Sequence, residues 1–422
     1  MEHISLSNNN ITIYSYPNEH LHSFCIALYV KAGCLYEAED ENGITHFLEH
    51  IAFRSVDAQM NRTLYHTLDC CGLSFNASTY KEFVQFTISG SPSRFQTAAE
   101  IITRILHTPV LTKEDVDLER QRIKAEIREY DEKSTLDYFT DCIIWKETSL
   151  ARTITGKRNT LDKISRNRLI QAHRQTFTQE NIFFYLTGAV SDTQTDLLRT
   201  LIEAYPIPSS GSFRTCTAPI PSDFFQRNAS VFHKKDKNCY VRFSFDVDTC
   251  RYTNAELDLL YDILFSGHSS AVYQELSEKR GLIYSHDAGM EQYINLGSLY
   301  FSFEVQPQHL NQAVEIMIEK LKALKKGITD ELACVKASYT DNSYMLLDNA
   351  DDLNWHFAYE NHILNCGYRN IEDRILAYAD VTPERLTEVI REIMQPSNLL
   401  LTVKGKEKDV SIPVLESLIK KL

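Results

Sequence analysis

His46-Phe47-Leu48-Glu49-His50 places two imidazoles and a carboxylate within five residues. In a helix, at 100° per residue, His46, Glu49 and His50 share one face, and Ile44, Phe47, Leu48 and Ile51 share the opposite one. Two histidines at i and i+4 stand one turn apart and can both bind one metal ion. The glutamate between them points the same way, where a general base would have to sit to take a proton from water. The order inverts the commoner His-Glu-x-x-His arrangement. On the pentapeptide alone, a polar helix face with two unrelated histidines is the alternative.

A zinc site that keeps one position open needs a third protein ligand. The stretch 112–131 offers one, with Val116, Ile123, Ile127 and Tyr130 as an apolar helical stripe. Glu119 and Glu126 are seven apart and stack two turns apart along the edge of that stripe. A carboxylate at the margin of a buried face needs a partner. Zinc for Glu126, and a ligand histidine for Glu119, would be such partners. Taken alone, two solvated glutamates on a charged helix is the plainer reading.

The elements that must position these groups come from a chain of 422 residues, long enough for two or three domains. Pro206 and Pro208, then Ser209-Ser210-Gly211-Ser212, then Pro219 and Pro221 interrupt any helix or central strand. The expected organisation is a zinc-bearing domain over 1–206, a linker over 207–226, and a homologous domain without metal over 227–422. The two halves align: Arg168 falls on Arg385, Leu169 on Leu386, Asn181 on Asn398 and Gly188 on Gly405. Ala98-Ala99-Glu100-Ile101 falls on Ala313-Val314-Glu315-Ile316 at a nearby offset, so the pattern is a duplicated domain and not a short-period solenoid. Residues 23–31, 83–89, 239–247 and 298–305 read as strands. Helical patterns cover 93–106, 112–131, 163–176, 308–325 and 381–394. Strands mixed with long helices, without regular alternation, predict an α+β fold with helices packed on mixed sheets.

Composition narrows the function. The formal charge is −13, from 44 Lys+Arg against 57 Asp+Glu, which argues against a general nucleic-acid binder and is compatible with basic peptide substrates. No run of about 18 uncharged apolar residues exists, so no membrane span is expected. Met1-Glu2-His3-Ile4-Ser5 has neither a basic nor an apolar leader region. The ten cysteines form no CxxC pair, and the adjacent Cys70-Cys71 reads as two buried small residues. Reduced thiols in a cytoplasmic protein are the expectation.

At this point the sequence resembles the inverted-motif zinc peptidases of the pitrilysin and mitochondrial processing peptidase superfamily, in its small two-domain branch. Gly43 stands shortly before the motif, Glu126 lies 76 residues beyond His50, and Glu119-Arg120 matches the paired glutamate. Asn76-Ala77-Ser78-Thr79 matches the family's strand that faces substrate. The resemblance implies one zinc per chain held by His46, His50 and Glu126, with Glu49 as general base and Glu119 orienting a ligand histidine. It implies that extended peptide adds to the edge strand at Asn76 and Ala77, and that Tyr284 helps hold substrate and the developing oxyanion.

One departure bears on function. Active relatives place an Arg seven residues before that Tyr, and this chain has Ser277 there, with Arg280 only four residues away. Ser lacks the fixed, charged donors of Arg. The resemblance then implies the zinc-bearing subunit of a heterodimer whose sister subunit supplies the Arg and Tyr, with a homodimer or monomer as the alternative. The expected activity is endopeptidase cleavage of short unfolded peptides. Leader removal from a small precursor peptide is one role, general peptide clearance another, and a non-catalytic assembly or peptide-binding subunit is the reading from a different class. Position 343, opposite Glu126 in the second copy, is Ser343, so metal is expected in the first copy only.

Overall fold

The computed structural model describes residues 1–130, 132–211, 217–265 and 267–422, with the side chains of Glu132 and Tyr284 outside the description. Two sheets carry the fold. The strands of the first are β1 (His3–Leu6), β2 (Thr12–Pro17), β3 (Phe24–Val30), β4 (Ser74–Thr79), β5 (Val84–Gly90) and β6 (Ile182–Gly188), in the order β1-β2-β6-β3-β5-β4. The second contains β7 (Ser230–His233), β8 (Cys239–Val247), β9 (Ile283–Gln292), β10 (Gly297–Val305) and β11 (Leu399–Gly405), in the order β7-β11-β8-β10-β9.

Without β1 the two orders are the same, with one parallel pair in each: β2 with β6, and β7 with β11. Two mixed sheets with packed helices, one fold written twice, are therefore present. Phe24-Cys25-Ile26-Ala27-Leu28-Tyr29-Val30 is buried at every position, as an apolar run covered on both faces must be. The helical pattern at 163–176 is divided: one helix ends at Lys163, and Ser165 then caps Arg166–Thr176 by accepting from Arg168 N at 3.2 Å.

The chain forms two compact units that do not follow a single cut. One comprises Met1–Asp131, Arg152–Cys216 and Tyr344–Ile371, and the other Glu132–Ala151, Thr217–Ser343 and Glu372–Leu422. Each half thus lends one segment to the other half's unit. The helix Ala350–Ala358 covers the first sheet, where Tyr29 Oη donates to Asn354 Oδ1 (3.2 Å), Asn354 Nδ2 to Tyr185 O (2.9 Å) and Thr187 Oγ1 to Ala350 O (2.7 Å). The helix Leu136–Ile144 does the same for the second sheet, through Thr140 Oγ1 with Thr402 Oγ1 (2.7 Å) and Arg242 Nη1 with Asp137 Oδ1 (2.7 Å). Buried polar groups on a sheet face need partners, and in each unit the lent helix supplies them.

Cys70 and Cys71 correct the sequence reading. Cys70 is exposed and Cys71 half-buried, because they close the short helix Leu64–Cys71 just before Gly72 turns the chain at φ 60°. None of the nine cysteines among the described residues is in a disulfide. Among those residues no helix is long and apolar enough to cross a membrane.

Candidate metal centre

The motif occupies the start of the helix Ile44–Gln59. Ile44, Phe47, Leu48 and Ile51 bury their stripe against Val116, Ile123, Leu161 and Leu169. Gly43, at φ 94°, precedes the helix, and a Cβ there would stand 2.8 Å from Gly156 Cα and Thr155 O. No side chain at Gly43 can cap the helix, so Glu37 does it from outside. Its carboxylate accepts from Gly43 N (2.9 Å), Thr45 N (2.9 Å) and Asn42 Nδ2 (3.0 Å). A negative charge on otherwise unpaired N–H groups stabilises a helix N-terminus.

The glutamates come from the helix Lys113–Glu129. Thr112 and Asp115 start it with a reciprocal pair of hydrogen bonds (3.1 and 2.9 Å). Arg120 ties it to the C-terminal end of the helix Arg158–Lys163 through Leu161 O (3.1 Å) and Ile164 O (2.7 Å). Val116 and Ile123 are buried against the motif helix, and Glu119 and Glu126 lie along that contact.

The arrangement brings His46, His50 and Glu126 together, with one donor atom from each within 4.8 Å of the others. His46 Nε2 is 3.8 Å from Glu126 Oε1, and His50 Nε2 is 3.7 Å from Glu126 Oε2. Donors about 2 Å from one tetrahedral ion stand about 3–4 Å apart, so a small contraction would seat zinc. Two imidazoles and a carboxylate also match zinc's usual donor set with a position left open. No second group of this kind occurs among the described residues.

Glu119 is buried and its partners are all cationic or donating: His50 Nδ1 at 3.2 Å, Arg54 Nε, and Arg122 Nη1 at 3.2 Å. Burial works against its charge, but hydrogen bonds from His50 and Arg54 hold its carboxyl below the usual range. It accepts the Nδ1 proton of His50, so Nε2 is the nitrogen that faces Glu126 and that would serve a metal once its own proton is lost. Burial also works against charge on His50, yet the bonds to Glu119 and Glu126 outweigh it and push the imidazole up to about 9. His46 is pushed the other way, by burial first and by the charge on His50 next. Glu49 lies beside them, 3.9 Å from His46 Nε2, and burial raises its carboxyl above the ordinary value.

The remaining expected residues are placed as follows. Asn76 is exposed on β4 and donates to Ser74 Oγ (2.9 Å), while Ala77 is half-buried against the first core. Tyr284 belongs to β9, and its side chain is outside the described residues. Arg280 is held by Glu275, at 2.6 Å to the carboxylate and 2.8 Å to the main-chain oxygen. Ser343 is buried and accepts from Arg374 Nη1 at 2.9 Å, a plain structural contact. Sequence reasoning missed Glu37, Arg54 and the contact of Thr79 with Glu49. Arg54 had a readable signal, four residues after His50 on the same helix face.

Comparisons with known proteins identify the family of the chain. The family described as Insulinase (Peptidase family M16) matches residues 13–158, and the Peptidase M16 inactive domain matches residues 163–333. An uncharacterized zinc protease of Mycobacterium leprae is 23% identical over 394 residues, covering 89% of this chain and 86% of the relative. The uncharacterized zinc protease YmxG of Bacillus subtilis is 21% identical over 391 residues, covering 91% and 94%. The crystal structure of a protease from Helicobacter pylori superposes with a TM-score of 0.86 at 19% identity, covering 96% of this chain and 99% of that one. With both of its domain types matched in sequence order, and His46, His50 and Glu126 inside the first, the chain belongs to peptidase family M16.

Proposed function

We propose that this chain is a zinc-dependent endopeptidase for short unfolded peptides, with one zinc held by His46, His50 and Glu126. The convergence of those three donors beside a buried Glu49 carries the reading. When bound, zinc supplies a Lewis acid that polarises the scissile carbonyl and makes water more acidic. Glu49 takes a proton from the attacking water and delivers it to the leaving amine, so one carboxylate acts as base and then as acid. Its raised proton affinity suits the second task. Glu119, neutralised by Arg54 and Arg122, keeps His50 in one tautomer and orientation. Peptide joins the β4 edge near Asn76 and Ala77 by main-chain hydrogen bonds, which read extended shape more than sequence.

The chain acts as the zinc-bearing subunit of a heterodimer, on leader peptides of small precursors in the cytoplasm. Ser277 in place of the expected Arg supports the missing-partner part, and so does the engagement of Arg280 by Glu275. Purified chain is tested for zinc by elemental analysis and for cleavage of quenched peptides. Bound zinc with little cleavage until a sister subunit is added is the expected result. Full cleavage by the isolated chain would sink the subunit reading, and a chain that takes up no zinc would sink the peptidase reading.

A further inference from the structure

Thr79 is the last residue of β4, the outer strand of the first sheet. Its hydroxyl donates to Glu49 Oε2 at 2.7 Å. It is the only side-chain donor to that carboxylate among the described residues. An ionised carboxylate has about four acceptor positions, so one donor on Oε2 leaves Oε1 free to receive a proton.

The register of the strand gives the same residue a second connection. Tyr80 N donates to Phe83 O (2.8 Å) across the hairpin, and the pairs below it are Thr79 with Val84 and Ser78 with Gln85. By antiparallel alternation, Ser74, Asn76 and Ser78 exchange hydrogen bonds with β5, while Phe75, Ala77 and Thr79 turn their N–H and C=O groups to the open edge. The side chains of those three are the half-buried set and face the motif helix, where the Phe53 and Phe75 rings are 4.7 Å apart. Thr79 therefore has its main chain on the open edge and its hydroxyl on Glu49.

Resting on the peptidase reading above, we propose that Thr79 is a positioning residue that couples occupancy of the β4 edge to the aim of Glu49. A peptide paired to that edge fixes the Thr79 main chain. The hydroxyl then holds Oε2, and Oε1 is presented to the water whose O–H bond breaks as its oxygen bonds to the scissile carbon. Threonine suits the task because its branched Cβ restricts the rotamer that aims the hydroxyl. Valine has the same shape without the donor, and serine has the donor without the methyl group.

The test compares the zinc-loaded parent chain with Thr79→Val and Thr79→Ser, together with the sister subunit if cleavage requires it. A hydrogen bond to a charged acceptor is worth about 10- to 100-fold in rate, so Thr79→Val should lose that factor in kcat with KM within about twofold. Thr79→Ser should regain most of the loss, and zinc content and melting temperature should match the parent in both variants. Crystal structures of the three give a readout independent of turnover: the Glu49 carboxylate should swing away in Thr79→Val and return in Thr79→Ser. An unmoved carboxylate in Thr79→Val overturns the proposal, as does a kcat equal to the parent's or a Ser variant as slow as the Val variant. If the parent cleaves no peptide, the peptidase reading fails, and the crystal structures still decide the role of Thr79.

Discussion

The two units use one scaffold for opposite ends. Arg168 pairs with Glu41 in the first, and Arg385 pairs with Glu256 in the second, so each copy ties the corresponding Arg to a glutamate just before or within the first turn of a helix. Counting on from Glu41 and Glu256, His46, Glu49 and His50 fall on Tyr261, Leu264 and Phe265. Leu264 and Phe265 are buried, and Phe265 stacks on Phe301 at 4.7 Å. The helix face that gathers His46, Glu49 and His50 in one copy is given to packing by Leu264 and Phe265 in the other, with Tyr261 Oη donating to Ala288 O at 3.2 Å. A buried polar cluster lowers stability unless something rewards it, and only the first copy keeps that cost. Duplication supplies the frame, and a few residues decide whether a helix face gathers titratable groups or packs.

The comparison can be broken at its largest predicted effect. Glu126→Gln should lose zinc and cleavage together, whereas Glu49→Gln should keep zinc and lose about 1,000-fold in kcat. A Glu49→Gln chain that cleaves as well as the parent would remove the functional half of the contrast. Next is the packing half: Phe265→Ala should lower stability by about 3–5 kcal/mol in denaturant titration. His50→Ala, in metal-free protein, removes ion pairs with Glu119 and Glu126 and not apolar packing, so its cost should shrink as pH rises through about 9 while that of Phe265→Ala should not. A His50→Ala cost that does not vary with pH would show that the first site also serves packing.

His173 sharpens the contrast through pH. It is buried, its Nε2 donates to Ile105 O (2.9 Å), and burial pushes the imidazole down to about 4. Its counterpart is Ile390, also buried. In the unfolded chain the imidazole takes up protons from about pH 6.5 downwards, while in the folded state it stays neutral until about 4. Stability is therefore retained above pH 6.5 and falls as pH drops towards 4, by about 3 kcal/mol. His173→Gln should flatten that limb, and the difference between the two proteins at pH 7 and pH 4.5 measures it. The smallest effect concerns Arg54: replacement by Met should weaken zinc about tenfold through Glu119, as read by competition with a chelator.

Much of this was legible because it is local. The apolar stripe Ile44, Phe47, Leu48 and Ile51 obeys a helical period, and it packs as that period requires. The spacings to Glu119 and Glu126, and the strand at 239–247, are likewise carried by short-range pattern. The contacts that escaped are long-range. Glu37 caps a helix that starts seven residues later through an irregular turn, and Thr79 reaches Glu49 only because β4 packs on the motif helix. No period announces either. The exposure of Cys70 depended on where a short helix ends, which is the least determined feature of any helical pattern.

The lent segments set a timetable for synthesis. The last strand of the first sheet ends at Gly188, but the helix that satisfies Tyr29, Tyr185 and Thr187 arrives with residues 350–358, in a segment that ends at Ile371. At ribosomal speed that interval is roughly 10 to 40 seconds. During it the first sheet waits without the partners that this helix brings to Thr187 Oγ1 and Tyr185 O, and with His46, His50 and Glu126 already made. A nascent chain is therefore open to chaperones, or to premature metal, well before it can close.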